Sequence, residues 1–359
     1  MIVGTQETLR IAVVGLGIGS HHIEILLQHP RVRIEAICDA DPERLNAVGT
    51  RFGIDRRFSE YERILESTSI DALVLAVPNH LHAEMSIAAL EAGKHVLCEK
   101  PMAATLEDAR RLQEFSATVE PILMINFSFR YHHLSRMLKE QIEAGVLGPI
   151  YYGRSVWHRR FGFPGFGGWF GTRSSSGGGP MIDLGVHRLD LALWLMDFPE
   201  PESINAATYN HLATEFAADQ ARSFDVEDFA TGMIRFTNGA TLAVEASWAA
   251  NIREREFMET RLLGTRGGLV QRNLNGEYRF EAEIYAREKN NLITKHLDGT
   301  VYPVPPSLHE FVDTILDGRR PDASPEQGLV VQRILDGFYR SAESGRTVYF
   351  SEDRELRSV

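Results

Sequence analysis

Leu9-Arg10-Ile11-Ala12-Val13-Val14-Gly15-Leu16-Gly17-Ile18-Gly19-Ser20 is the stretch that decides the fold class. After Arg10 the run to Gly15 is apolar and β-branched with no polar alternation, the pattern of a strand buried on both faces of a parallel sheet. Glycines follow at once, and then a helical stretch to about His29. Strand, glycine turn and helix in that order are the setting in which Gly15-x-Gly17-x-x-Ser20 reads as a dinucleotide-binding fingerprint. Gly15 permits the tight turn. Gly17, with Ile18 beside it, lets the backbone approach a pyrophosphate, and the helix N-terminus opposes its charge. Ser20 stands where Gly or Ala is usual and is small enough to keep helix and strand close. Asp39 closes a second strand, 33–38, about 20 residues beyond the loop, where a carboxylate accepts ribose hydroxyls and repels a 2′-phosphate. The expected cofactor is therefore NAD, with NADP less favoured. Arg44 is near enough in sequence to soften that preference.

The same alternation continues. Asp41-Pro42 opens a helix with an N-cap and a first-turn proline. Strand 71–77 ends at Pro78-Asn79, helix 82–92 stops at Gly93, and strand 96–98 is followed by helix 106–117 and strand 122–126. Strands alternating with helices predict a doubly wound parallel sheet over residues 1–129. Beyond it the pattern changes. A helix over 134–144 leads into strand-like segments at 151–157, 206–209, 229–236, 241–248, 259–263 and 277–285, with Asn238-Gly239 as a hairpin turn. Helices are expected over 181–196, 308–316 and 325–344. The second domain, 130–350, reads as α+β on a large, mostly antiparallel open sheet, followed by a charged tail, 351–359. The overall class is α/β.

The chain has 359 residues, enough for two domains, and is 43% hydrophobic and 24% charged. A net charge of −11 disfavours nucleic acid and anionic membrane surfaces as partners. Two cysteines, Cys38 and Cys98, support neither a disulfide framework nor a thiolate zinc site, and no metal is expected. No apolar run approaches the roughly 20 residues of a membrane helix, and the first ten residues lack a signal peptide's apolar core. The expected setting is a reducing cytoplasm. Few helices follow residue 200, so one face of the second sheet needs another cover. Met233, Leu242, Val244, Ala246 and Trp248 are apolar candidates for a homodimer or homotetramer contact on it.

Three further clusters carry chemistry. Val96-Leu97-Cys98-Glu99-Lys100-Pro101 delivers an amine to the carboxyl end of a strand, the edge where ligands bind in open α/β sheets. Pro101 restricts the backbone of Lys100. In Pro78-Asn79-x-x-His82, Asn79 can bond a ribose or a carboxamide, and His82 can meet a phosphate or the substrate. Asp183 and His187 are four apart on one helix and share a face. A carboxylate there holds the imidazole in one tautomer, a good general acid or base near neutral pH. Phe161, Phe163, Phe166, Trp169 and Phe170 could shape a pocket, and Arg159, Arg160 and Arg173 could hold a carboxylate or phosphate.

Together these pieces resemble the Gfo/Idh/MocA family of NAD(P)-dependent oxidoreductases, which includes glucose–fructose oxidoreductase and inositol dehydrogenase. The resemblance spans nearly the whole chain. It runs through Val13-Val14-Gly15-Leu16-Gly17, Ala76-Val77-Pro78-Asn79-x-x-His82, Glu99-Lys100-Pro101 and Asn126-x-x-x-Arg130. It continues through Gly178-Gly179 to Asp183-x-x-x-His187-x-x-Asp190, then Asn238-Gly239-Ala240 and Gly264-Thr265-x-Gly267-Gly268. It implies a catalytic set of Lys100, Asp183 and His187, a cis Lys100-Pro101 bond and a C-terminal sheet used in oligomer contacts. Cofactor contacts are expected at Gly15, Gly17, Ile18, Ser20, Asp39, Pro78, Asn79, His82 and Glu99. Substrate contacts are expected at Lys100, Arg130, His158, Trp169, Arg173 and Asp183. The implied reaction is hydride transfer between nicotinamide and a secondary alcohol of a sugar, sugar acid or cyclitol. Two other activities fit the same cofactor: a glycoside hydrolase that uses bound NAD for transient oxidation, and a nicotinamide-binding sensor without turnover.

Overall fold

The computed structural model describes residues 8–219, 223–299 and 304–351. It divides into two compact units: the chain up to Phe127 together with Pro305–Leu329, and Ser128–Val304 with the chain from Val330 onward.

In the first unit, strands β1 (Leu9–Val14), β2 (Val32–Cys38), β3 (Arg57–Phe58), β4 (Ala72–Leu75), β5 (His95–Cys98) and β6 (Leu123–Ile125) form a parallel sheet in the order β3-β2-β1-β4-β5-β6. Helices α1 (Gly19–Leu26), α2 (Pro42–Phe52), α3 (Glu62–Leu65), α4 (His82–Glu91) and α5 (Leu106–Ser116) connect them. The order reverses between β1 and β4, which opens the crevice where dinucleotides bind in such sheets. Ile11, Ala12 and Val13 have no exposed surface, as the unbroken apolar run requires. Asp41 caps α2, accepting from the amides of Glu43 and Arg44, and Thr105 caps α5 through the Asp108 amide. In the glycine loop, Gly15 has φ +83°, and a Cβ there would lie 2.3 Å from the Ala76 carbonyl oxygen. The close helix–strand approach falls on Gly19, where a Cβ would lie 3.0 Å from Val13 Cγ1. Ser20, expected in that role, instead donates through Oγ to the Gly17 carbonyl at 2.9 Å.

The second unit is built on β7 (Ile150–Arg159), β8 (Pro201–Tyr209), β9 (Phe229–Phe236), β10 (Thr241–Ser247), β11 (Glu256–Gly264), β12 (Gly267–Asn273), β13 (Phe280–Glu288), β14 (Asn291–Leu297) and β15 (Val348–Tyr349). Their order is β14-β13-β12-β11-β7-β10-β9-β8-β15, and β7 with β10 is the parallel pair among the described residues. Helices α6 (His133–Glu143), α7 (Arg173–Ser176), α8 (Val186–Leu195) and α9 (His211–Asp219) accompany the sheet, with a π-helical turn at Met181–Gly185 leading into α8. Leu242, Val244 and Ala246 are buried on the face toward that turn and α8, where a Cβ on Gly185 would lie 3.1 Å from the Ala246 Cβ. Alternate residues point the other way, and Met233 is 51% exposed there. Four of the five apolar residues expected on an uncovered face, Leu242, Val244, Ala246 and Trp248, are thus core. The other face carries Arg154, His158, Glu245, Glu259 and Arg261, tied by ion pairs such as Arg154–Glu245 at 3.0 Å.

One domain boundary differs from the expected division. Helix α10 (Ser307–Leu316) belongs to the first unit, not to a continuous second domain over 130–350. His309 Nε2 lies 2.7 Å from the Ile25 carbonyl oxygen at the end of α1, and Arg31 pairs with Asp313 at 2.6 Å. The Ile125 amide donates to Ala323, so the returning chain satisfies the edge strand β6. The last helix, α11 (Pro325–Ser344), crosses the boundary between the units. Most of the expected charged tail lies outside the described residues.

Candidate active site

The first unit gathers the glycine loop, Asp39, the turn after β4 and the Lys100 loop at the carboxyl edge of its sheet. A Cβ on Gly17 would meet nothing within 4 Å, so the loop leaves open space where a pyrophosphate would lie. No side chain caps the start of α1, which leaves its first amides for phosphate oxygens. Asp39 is buried at the end of β2. Its Oδ2 accepts from the Leu16 amide at 2.7 Å and its Oδ1 from the Asp41 amide at 2.8 Å. Arg44 Nη1 approaches Oδ2 at 3.2 Å.

Two expected ligand residues hold the fold instead. His82 is fully buried at the start of α4, its ring nitrogens 2.7 Å from the Pro101 carbonyl oxygen and 2.9 Å from that of Val77. Burial keeps this imidazole below its ordinary pKa. Both nitrogens serve the backbone, so His82 pins the two loops that follow β4 and β5. Glu99 is the hub beneath Lys100. Its Oε1 lies 2.7 Å from His22 Nε2 and accepts from Asn126 Nδ2 at 2.6 Å, while Oε2 accepts from the Lys100 amide at 3.2 Å. Ser307 Oγ donates to Asn126 Oδ1 at 2.6 Å and closes the network. Burial opposes the Glu99 charge, but His22, Lys100 and Asn126 outweigh it and hold the carboxyl down to about 2. The Lys100-Pro101 peptide is cis, as the family resemblance implies. Asn79 is buried in the turn Asn79–Leu81 directly after Pro78.

In the second unit, Asp183 lies in the π-helical turn and His187 one turn on, in α8. The His187 ring lies 5.3 Å from that of Phe129 and 5.6 Å from that of Trp157, centroid to centroid. Asp183 Oδ2 accepts from the indole Nε1 of fully buried Trp248 at 2.9 Å. Around them Trp157, Leu184, Val226, Trp248 and Met258 form a buried cluster, with Phe129, Phe163, Phe170, Phe224 and Phe280 packed against it. Part of the expected aromatic loop therefore does line this region. Trp169 stacks on Phe170 at 3.8 Å, but Phe161 is 62% exposed.

Three expected substrate contacts are placed differently. Arg130 has no exposed surface and grips Asp190 with two nitrogens, Nε at 2.8 Å, while its face covers Phe198. It is a buried structural ion pair. His158 alternates with Trp157 along β7 and so points to the opposite sheet face, where Glu245 lies 3.4 Å away. Arg173 pairs with Glu343 on the surface, and its amide donates to Asp225 at 2.6 Å.

Residues 9–127 match the description "oxidoreductase family, NAD-binding Rossmann fold", and residues 135–270 match the "GFO/IDH/MocA C-terminal domain". The chain belongs to the Gfo/Idh/MocA oxidoreductase family. D-glucoside 3-dehydrogenase of Escherichia coli (strain K12) is 31% identical over 361 residues, 96% of this chain and 98% of that protein. Myo-inositol 2-dehydrogenase of Thermotoga maritima is 26% identical, over 96% of this chain and 99% of its own. The solved structure of levoglucosan dehydrogenase in complex with NADH superposes with a TM-score of 0.83 at 26% identity, over 96% of this chain and 99% of that one. Among the described residues no helix is long and apolar enough to cross a membrane.

Trp248 and Glu256 of this family member escaped the sequence reading. Trp248 counted only as an apolar strand residue, although its place just past β10 sets its indole N–H toward the turn that carries Asp183. Glu256 fell outside the expected strand 259–263, because β11 begins three residues earlier. The signal was there in Arg159 and Glu256, opposite charges at the matching ends of paired strands.

Proposed function

We propose that this Gfo/Idh/MocA protein catalyses NAD-dependent, reversible oxidation of a secondary alcohol on a sugar or cyclitol. The observation that carries the reading is the fixed Asp183–His187 pair. The imidazole packs against Phe129 and Trp157, which also touch each other, and the carboxylate is anchored by the Trp248 N–H. His187 takes the hydroxyl proton as the carbonyl forms, and Asp183 orients the imidazole and accepts a substrate hydroxyl. Lys100, positioned through Glu99, stabilises negative charge developing on the reacting oxygen. Gly15, Gly17, Ile18 and the first amides of α1 suit a pyrophosphate. Asp39 suits the ribose hydroxyls, and Pro78 with Asn79 borders the same sheet edge. When bound, nicotinamide accepts the hydride. The Asp39 carboxylate favours NAD over NADP. Arg44, already paired to Asp39, is the group that a 2′-phosphate would have to recruit.

The relatives' names direct the first assay: a panel of glucosides, anhydrosugars, aldoses and inositols with each nicotinamide cofactor, read as reduced nicotinamide absorbance. Turnover with NAD on at least one of them is expected. His187→Ala and Lys100→Ala should lower kcat by about a hundredfold or more, with cofactor binding retained. Full activity of His187→Ala on a verified substrate would remove the base from its role. We also propose a homodimer or homotetramer built on the charged face of the second sheet, and a strictly monomeric mass at micromolar concentration would reject it. A cytoplasmic setting suits the two cysteines, both buried, whose thiols burial pushes up to about 12.

A further inference from the structure

Glu256 opens β11 opposite Arg159, the last residue of β7, and is itself 9% exposed. Its Oε1 accepts from three donors: the Trp157 indole Nε1 at 2.6 Å, Arg159 Nε at 2.9 Å and the Tyr278 hydroxyl at 3.3 Å. Among the described residues these bonds all fall on Oε1, and the side chain keeps 11% of its surface exposed, which leaves Oε2 as an acceptor at the margin of solvent. The carboxylate is locked in orientation through one oxygen and presents the other as a free acceptor. Trp157 links it to the chemistry, since one tryptophan donates to Glu256 and lies 5.6 Å from the His187 ring. Glu256, Trp157 and Met258 project from the same side of the sheet, the side that α8 covers.

We propose that Glu256 is a specificity-determining residue whose Oε2 accepts a hydrogen bond from a substrate hydroxyl, and that the substrate is consequently a neutral polyhydroxylated ring, not a sugar acid or a sugar phosphate. This rests on the sugar-oxidoreductase reading above. An ionised carboxylate is acceptor-only, so it suits a hydroxyl and repels an anion. Asp183 adds a second carboxylate to the same face. Three arginines of this region are already engaged. Arg159 serves Glu256, and Arg173 serves Glu343. Arg160 reaches the Arg253 carbonyl at 3.5 Å. Arg188 is fully buried: Nη1 donates to Gln271 at 2.9 Å, Nε and Nη2 have no partner among the described residues, and Phe129 at 4.9 Å and Phe280 at 5.0 Å cover the guanidinium, so burial withholds it from a substrate. Lys100 is assigned to the reacting oxygen.

The test compares a neutral pyranoside with its matched uronate, using wild type and Glu256→Gln. Glutamine keeps an acceptor for Trp157 and Arg159 but offers an amide where Oε2 stood. Wild type should prefer the neutral sugar by at least about a hundredfold in kcat/KM. Glu256→Gln should raise KM for the neutral sugar roughly tenfold or more, the usual worth of a hydrogen bond to a charged group, and should narrow the preference over the uronate. Unchanged thermal unfolding of the variant would show that the effect is not a folding loss. An unaltered KM in Glu256→Gln, or a wild type that accepts the uronate equally well, overturns the assignment. Absence of turnover on every sugar overturns the oxidoreductase reading instead. In that case calorimetric binding of the same two sugars to NAD-loaded wild type and variant decides the role of Glu256 by the same criteria.

Discussion

Glu99 in the first unit and Glu227 in the second are both almost out of reach of water, yet their acidities move in opposite directions. Burial penalises the charge on each. Around Glu99 stand His22, Asn126 and Lys100, and together they hold it ionised down to about 2. Among the described residues the donors to Glu227 are neutral, chiefly the Tyr339 hydroxyl at 2.8 Å and the amides of Gly179 at 2.9 Å and Met181 at 3.2 Å. There burial wins, and the pKa rises. Both carboxyls brace a segment next to a residue proposed for catalysis, the Lys100 loop in one case and the turn before Asp183 in the other. Hydrogen bonds satisfy both oxygens in each case. What decides the charge state is whether cationic groups share the enclosure.

The largest expected effect breaks that contrast at Glu99. A carboxyl held at about 2 instead of 4.5 contributes roughly 3 kcal/mol of stability at neutral pH. Glu99→Gln should lose about that much in urea unfolding at pH 7. The same term fixes an acid profile. Above about pH 4.5 the contribution is whole, because the group is ionised folded and unfolded alike. As pH falls from there toward 2 the unfolded chain takes up its proton first, and the stabilisation drains away. Wild type should therefore lose stability in that window, and Glu99→Gln should lose about 3 kcal/mol less of it. Equal acid sensitivity of the two would dissolve the contrast.

A smaller effect belongs to Trp248. Trp248→Phe keeps the packing ring and removes the donor to Asp183, so kcat/KM should drop about tenfold, the scale of a hydrogen bond to a charged group. The pH–rate profile should shift with it, which a purely structural role would not produce.

The smallest effect is expected at Glu227. Its folded pKa is raised, so its contribution is present below the ordinary carboxylate range and declines as pH climbs through the folded value. Glu227→Gln imitates the protonated form and should change stability at pH 7 by less than about 1 kcal/mol. A loss as large as that of Glu99→Gln would mean that the enclosure holds Glu227 as an ion.

The glycine loop, Asp39, the Lys100 strand and the Asp183–His187 spacing were legible in the sequence because each depends on neighbours along the chain. The turn of a strand into a helix and the i, i+4 geometry are local. Arg130, His82 and Glu99 looked like ligands because polar residues in a motif look alike whether they face a substrate or a carbonyl. Only the fold places Asp190 against Arg130 and the Pro101 carbonyl against His82. The strand β14 was missed for a different reason: Asn291–Leu297 is a mostly exposed edge and shows no apolar alternation. His158 shows the cost of losing strand register, since one step along β7 separates the face of His187 from the charged face.

The return of Pro305–Leu329 to the first unit has a consequence for synthesis. As the chain leaves the ribosome, β6 is made early, but Ala323, which accepts from its Ile125 amide, and Ser307, which completes the Asn126–Glu99 network, arrive some two hundred residues later. The nucleotide-binding half must therefore wait, unfinished at one edge, until nearly the entire polypeptide has emerged. A gene fragment ending after the first six strands would yield a protein with that edge bare.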